Sequence, residues 1–417
     1  MRDSRSAQFV ALVAGVFALA GTAVAAPGGE RGPPGGGQGG GGGTITWQVP
    51  TLSWSGIGPL DVALWGSTLL FGSVALSWVY VTYVRGGGYE PPAPVYGGDD
   101  VQVRILTVDA ADVVRRTVDS LPAELDDRHV IAESPIDVDG AEVHVVPDDF
   151  SCEAVRKGRA IEWARQHLDS DREFALYLDE DSEMTDFAGL PDADVVQLKE
   201  RPRRTDSRLT FLADVYRLGV QLEQRAFARM SIPLFAWGGG IAVRQSVEDT
   251  VTWDRESLVE DTAFVWAAAK QVGASYDLAE TVCTNQAPPS FGEIFEQRRR
   301  WAAGNHQEAG RLPTKYRLLA KVRNYAWALS PVVTVAAIPL SLLHPQIAFE
   351  PAFQAISVVL VAMTGFWFLR GLSEYGRSKL GYLLALPLLP VVSVVHSAGT
   401  VAGILRPPES FRVTEKV

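Results

Sequence analysis

The sequence predicts an α/β fold, a mostly parallel sheet with helices on both faces, flanked by transmembrane α-helices. Three observations carry that expectation. Between residues 97 and 311, short β-branched runs alternate with amphipathic stretches of helical length, the pattern of strand–helix–strand units. On either side the chain turns apolar over lengths that match a bilayer. The 417 residues suffice for one sizeable core plus membrane segments.

The elements follow in chain order. "MRDSRSAQFVALVAGVFALAGTAVAAP" has two arginines, an apolar run, then an A-x-A at Ala23 and Ala25. Residues 1–26 therefore read as a signal peptide or an N-terminal anchor. Residues 27–59 include "PGGERGPPGGGQGGGGGT", a Gly/Pro-rich linker that cannot build a core. Residues 60–84, "LDVALWGSTLLFGSVALSWVYVTYV", carry one acid near the start and Arg85 just after, and read as a transmembrane helix.

Within 97–311, "VQVRILTV", "HVIAE", "EVHVVP" and "EFALYL" predict strands, and "DAADVVRRTVDSL" and "EAVRKGRAIEWARQHL" predict helices. Ligands of such sheets bind beyond the carboxyl ends of the strands. Asp109, Glu133, Asp179 and Asp181 all fall at such ends. Residues 321–405 form a C-terminal membrane region with apolar runs at 325–343, 351–369 and 380–405, the third interrupted by Pro387 and Pro390. Basic residues before the first run and after the second place the 97–311 domain in the cytoplasm of a multi-pass cell-membrane protein.

Bulk properties exclude several classes. The net charge of −11 argues against nucleic acid as a partner. Two cysteines and six scattered histidines have no metal-ligand or disulfide spacing. What stands out is "LYLDEDSEM", where Asp179, Glu180, Asp181 and Glu183 crowd the end of a buried strand. Two carboxylates in a D-x-D can hold Mg²⁺ or Mn²⁺ through oxygen and so neutralise a diphosphate; a solvated acidic loop is the bland alternative. "SLVEDTAF" puts Glu260 and Asp261 at a helix start, where acids are also ordinary dipole partners. "FEQRRRW" gives Gln297, Arg300 and Trp301, suited to phosphate pairing and sugar stacking, or to an interfacial helix. "FAWGGGIAVR" allows close backbone approach at Gly238 to Gly240, or a tight turn.

In the order strand-end acid, D-x-D, ED, Q-x-x-R-W and membrane helices, the chain resembles the membrane-embedded family 2 glycosyltransferases. These include the cellulose, hyaluronan and chitin synthases and the β-1,4-mannosyltransferases. "FRVTEK" at 411–416 resembles the gating loop of cellulose-synthase-like members. The resemblance implies a GT-A fold and inverting transfer from a UDP- or GDP-linked sugar, with Mg²⁺ or Mn²⁺. It implies Asp261 as general base, and Asp179 and Asp181 as donor and metal ligands. Asp109, Glu133, Lys157, Arg300, Thr414 and Lys416 would contact the donor, and Glu260, Gln297 and Trp301 the acceptor. Two positions depart from the family: the first strand ends in "TVDA", and Glu133 stands where an aspartate is usual.

A third full crossing at 380–405 would put 406–417, the gating-loop-like tail, outside. That segment is therefore expected to be interfacial or re-entrant, with the tail cytoplasmic. Few spanning runs favour a lipid-linked or membrane-proximal glycan acceptor; a processive polysaccharide synthase is the alternative. A nucleotidyltransferase would need a Gly-rich basic signature at the first strand, which "RILTVDAADVVRRT" lacks. A scaffold or transporter has no use for Asp181 and Asp261 together.

Overall fold

The structure, a computed structural model, describes residues 57–343, 347–375 and 385–408. The expectations for the signal or anchor and most of the linker, and for Thr414 and Lys416 in the tail, lie outside the described residues.

The chain enters through helix α1 (Pro59–Arg85) and then builds the sheet. Its elements are β1 (Val101–Thr107), α2 (Ala111–Ser120), β2 (Arg128–Ala132), β3 (Glu142–Val145), α3 (Lys157–His167), β4 (Phe174–Asp179), β5 (Val195–Arg203), α4 (Arg208–Val220), β6 (Ile241–Arg244), α5 (Gln245–Val251), α6 (Glu260–Gln271), β7 (Tyr276–Gln286) and α7 (Phe291–Glu308). Three helices close the chain: α8 (Thr314–Leu343), α9 (Glu350–Tyr375) and α10 (Leu386–Leu405).

The seven strands run β3-β2-β1-β4-β6-β5-β7, and every pair is parallel except those of β6. This is the mostly parallel, helix-covered sheet that the sequence predicts. Because β6 runs backwards, its amino end lies beside the carboxyl ends of β1, β4, β5 and β7. Gly238, Asp179 and Gln286 are thereby brought to one edge.

Strict alternation divides the two cores. Phe174, Leu176 and Leu178 pack with Val103, Ile105 and Val114 of α2 on one face. Ala175 and Tyr177 pack with Ile161, Trp163 and Phe264 of α3 and α6 on the other. The polar interruptions in β1 are answered inside: Arg104 bonds Gln102 at 2.8 Å, Tyr177 at 2.7 Å and Glu248 at 3.3 Å.

Helices α1, α8, α9 and α10 are each long and apolar enough to cross a membrane. The one acid of α1, Asp61, sits at its first turn, where its carboxylate accepts from Gly58 N at 2.8 Å and Ala348 N at 2.9 Å. Pro387 and Pro390 fall at the start of the last described helix, where a missing N–H costs no intrahelical bond.

Two close helix crossings join this bundle to the sheet domain. A Cβ at Gly219 of α4 would overlap the Trp367 carbonyl of α9, and one at Gly371 would overlap the Val215 carbonyl. Gly399 and Gly403 of α10 meet the Phe295 and Arg299 carbonyls of α7 in the same way, a small-xxx-small approach. In an open helix, Gly219→Ala gains about 1 kcal/mol. Here it and Gly371→Ala are expected to destabilise by about 1–3 kcal/mol through overpacking, read as a lower midpoint of thermal unfolding in detergent.

Candidate active site

The strand edge opens into a cavity of about 720 Å³. Of the sequence-predicted residues, Glu133, Lys157, Asp179, Glu260, Asp261, Gln297, Arg300 and Trp301 line it, together with Gly238. Asp109 does not; it is exposed beyond β1, and Thr107 and Val108 take the wall instead. Asp181 does not line it either. It is 1% exposed behind the wall, and its Oδ2 accepts from Gln286 N at 2.9 Å.

The acidic quartet is thus divided. Asp179 and Glu180 line the cavity, whereas Asp181 and Glu183 do not. Glu180 accepts from the Thr107 hydroxyl at 2.6 Å, and the main chain of Glu183 pairs with Thr284 of β7 while its carboxylate meets Arg203. The group is no solvated loop; its charges tie the end of β4 to β1, β5 and β7.

Lys157 is the hub. Its Nζ lies 2.6 Å from Asp179 Oδ1, 3.5 Å from Glu260 Oε1 and 3.3 Å from the Gly238 carbonyl. Gly238 leaves room at this point for the lysine head, since a Cβ there would displace Lys157 Nζ and stand 3.3 Å from Asp261 Oδ2. The strand-end acid and the helix-start acids therefore face one ammonium, although 82 positions separate Asp179 from Asp261 in the chain. Burial works against the charge of Lys157, but Asp179, Glu260 and Asp261 outweigh it and raise its pKa.

Asp261 responds oppositely. Burial, then the neighbouring Glu260 charge, pushes its carboxyl up to about 7, against the pull of Lys157 and Arg300. A carboxylate in that range is suited to accepting a proton near neutral pH.

The Q-x-x-R-W stretch lies on α7, and its organiser is a residue that the spacing passed over. Arg298 donates to Gln297 Oε1 at 2.7 Å, to Asp214 Oδ1 at 2.5 Å and to His396 Nδ1 at 3.0 Å. Its guanidinium lies 4.2 Å from the Trp301 ring centroid, within cation–π reach. Arg217 flanks the same ring at 5.6 Å and is held by Glu200 at 2.6 and 2.7 Å. Nothing in "QRRRW" distinguishes Arg298 from its neighbours except the three-residue helical spacing to Trp301. Asp214 and His396 come from α4 and α10, which no local pattern could connect.

Beyond Trp301 the cavity continues between the apolar helices, past Tyr216, Arg323, Asn324, Trp327 and Trp367. At the strand edge, Trp237 Nε1 and Asn285 Oδ1 are buried on its wall without a hydrogen-bond partner among the described residues, as expected of polar atoms directed at a ligand. No His or Cys is among the lining residues described, and the donors offered are hard carboxylate oxygens, chemistry that fits Mg²⁺ or Mn²⁺.

Residues 172–370 match the family model described as Glycosyl transferase family group 2. Among solved structures, a mannosyltransferase, PcManGT from Pyrobaculum calidifontis in complex with GDP-Man and Mn²⁺, is similar at a TM-score of 0.48 and 13% identity, over 83% of this chain and 97% of that one. Mannosyl-3-phosphoglycerate synthase from Rubrobacter xylanophilus is similar at a TM-score of 0.34 and 18% identity, over 52% of this chain and 75% of that one. No curated protein matches the chain.

Two outcomes are expected. If Asp261 must be ionised to act, kcat/KM rises tenfold per pH unit below about 7 and levels off above it. Because Lys157 lowers the Asp261 pKa, Lys157→Met moves this limb to higher pH in a pH–rate profile. Arg298→Met removes one of the two guanidinium partners of buried Asp214, leaving Arg217 at 3.2 Å, and is expected to cost roughly 1–3 kcal/mol. Adding Asp214→Asn recovers part of that loss in thermal unfolding.

Proposed function

We propose that this chain, whose residues 172–370 match the family model described as Glycosyl transferase family group 2, is a glycosyltransferase that carries out an inverting transfer from a nucleotide sugar to a lipid-linked or membrane-proximal glycan acceptor. The single observation that carries this reading is the continuity of one cavity, from the strand-edge acids and Asp261 to the apolar helices around Trp327 and Trp367. A donor entering from the strand edge and an acceptor entering from the membrane side would meet at Asp261.

In this reading the base end of the donor lies toward Glu133 and Val108, and the diphosphate lies near Lys157 and Arg300, whose positive charges answer it. Asp179, on the cavity wall, is the residue that would hold Mg²⁺ or Mn²⁺, while Asp181, buried behind the wall against Gln286 N, would position that turn and not reach the ion in this arrangement. The ion, when bound, supplies further neutralisation of the diphosphate. Asp261 takes the proton of the acceptor hydroxyl. That oxygen bonds to the anomeric carbon from the face opposite the diphosphate. The carbon–oxygen bond to the diphosphate breaks, and the nucleoside diphosphate leaves with the electron pair. Trp301, fixed by Arg298 and Arg217, offers a flat face for the acceptor sugar, and Gln297 and Glu260 hydrogen-bond its hydroxyls. Thr414 and Lys416 would, in the same reading, contribute donor contacts from the cytoplasmic side.

The extension of the cavity between the helices also suits a growing polysaccharide, and the experiment separates the two. Membranes carrying the protein are incubated with radiolabelled UDP- and GDP-sugars, with and without chelator, and the product is partitioned between organic solvent and water. Label is expected in the lipid phase, with loss on chelation and in Asp261→Asn, while Asp261→Asn still binds donor. Label only in long water-soluble polymer favours the synthase, and unchanged turnover in Asp261→Asn removes the assigned base.

A further inference from the structure

Away from the cavity, the edge of the sheet carries a second set of donors of different chemistry. The parallel register of β2 and β3 pairs His129 with Glu142 and Ile131 with His144. Residues two apart in a strand share a face, so His129, Glu142 and His144 project together. His129 Nδ1 lies 2.9 Å from His144 Nε2. The Glu142 carboxylate stands 3.6 Å from His144 Nε2 and 4.0 Å from His129 Nδ1, too far to hydrogen-bond either ring. One nitrogen from each histidine and a carboxylate oxygen all fall within 4.8 Å of one another. Ligands around a tetrahedral Zn²⁺, with bonds of about 2.0–2.1 Å, stand about 3.3 Å apart, close to the triangle formed here.

A second feature points the same way. The other ring nitrogen of His129, Nε2, is 2.8 Å from Asp127 Oδ1. A carboxylate on the far nitrogen fixes the tautomer and aims Nδ1, the arrangement that supports metal-bound histidines. His144 is seated against Trp163 of α3, ring centroids 6.0 Å apart.

We propose that His129, Glu142 and His144 form a zinc-type cation site, with its fourth position open to water. The mixed nitrogen–oxygen set suits Zn²⁺, whereas the carboxylates at the cavity suit Mg²⁺ or Mn²⁺. The site clamps β3, a four-residue strand at the end of the sheet, onto β2. It lies on the strand that leads to Glu133 at the cavity, so the clamp steadies that wall and does not enter the transfer reaction.

The test uses chelator-stripped full-length protein in detergent micelles, titrated with Co²⁺ alone. About one equivalent is expected to give the visible absorption of a four-coordinate ion, bleached by Zn²⁺ and raising the thermal unfolding midpoint. The signal persists in Asp179→Asn and is lost in His144→Ala. Asp127→Asn weakens affinity about 10–100-fold. Glu142→Gln, at a largely solvent-facing side chain, also weakens it and serves if His144→Ala does not fold. Absence of the bands in the unaltered protein overturns the site. So does an unchanged titration in Glu142→Gln and His144→Ala, or a signal that disappears in folded Asp179→Asn.

Discussion

One ammonium holds the candidate site together. Lys157 starts α3, yet its Nζ sits among Asp179 from β4, Glu260 from α6 and the carbonyl of Gly238 before β6. Remove that charge and three acids from distant parts of the chain would repel one another in a half-buried space. With it in place, Asp179 and Glu260 stand against a cation while Asp261, beside them, is left poised between burial and its neighbours. The reversed strand β6 makes this geometry possible, because it delivers a glycine backbone to the edge where the parallel strands deliver acids.

A second constraint works from below. Arg298, Asp214, Arg217 and Glu200 form a buried charge network whose members come from α7, α4 and β5, with His396 of α10 attached. Buried ion pairs of this kind contribute little net stability, but each partner is costly to lose. Their effect here is positional: Trp301 and Gln297 are held in place by a network whose members Glu200, Asp214, Arg217 and Arg298 also form part of the cavity wall. The same contacts connect the sheet domain to an apolar helix, so the Gly399 and Gly403 crossing and the Arg298–His396 bond act at one interface.

The contrast between the two acidic or imidazole clusters illustrates how donor type divides labour. Hard oxygens collect at the cavity, where a diphosphate would need charge neutralised. The imidazoles collect at the sheet edge, where a short strand needs an anchor. Sequence spacing was blind to the second set, because His129 and His144 are brought together by strand register and not by a local motif.

Local patterns determined much of the fold. Period-two runs marked β1, β2, β3 and β4, amphipathic stretches marked α2 and α3, and apolar length marked α1, α8 and α9; these depend on residues near in sequence, so one dimension suffices. Residue type likewise picked out Asp179, Asp261, Arg300 and Trp301 as chemistry-bearing, and the family resemblance added Lys157. Only the tertiary structure decided which acids face the cavity. It buried Asp181 behind Gln286, left Asp109 outside, and made Arg298, not a residue the spacing named, the organiser of α7. The reason is physical: burial and pairing of a charge are set by partners tens to hundreds of positions away, and no local periodicity encodes them.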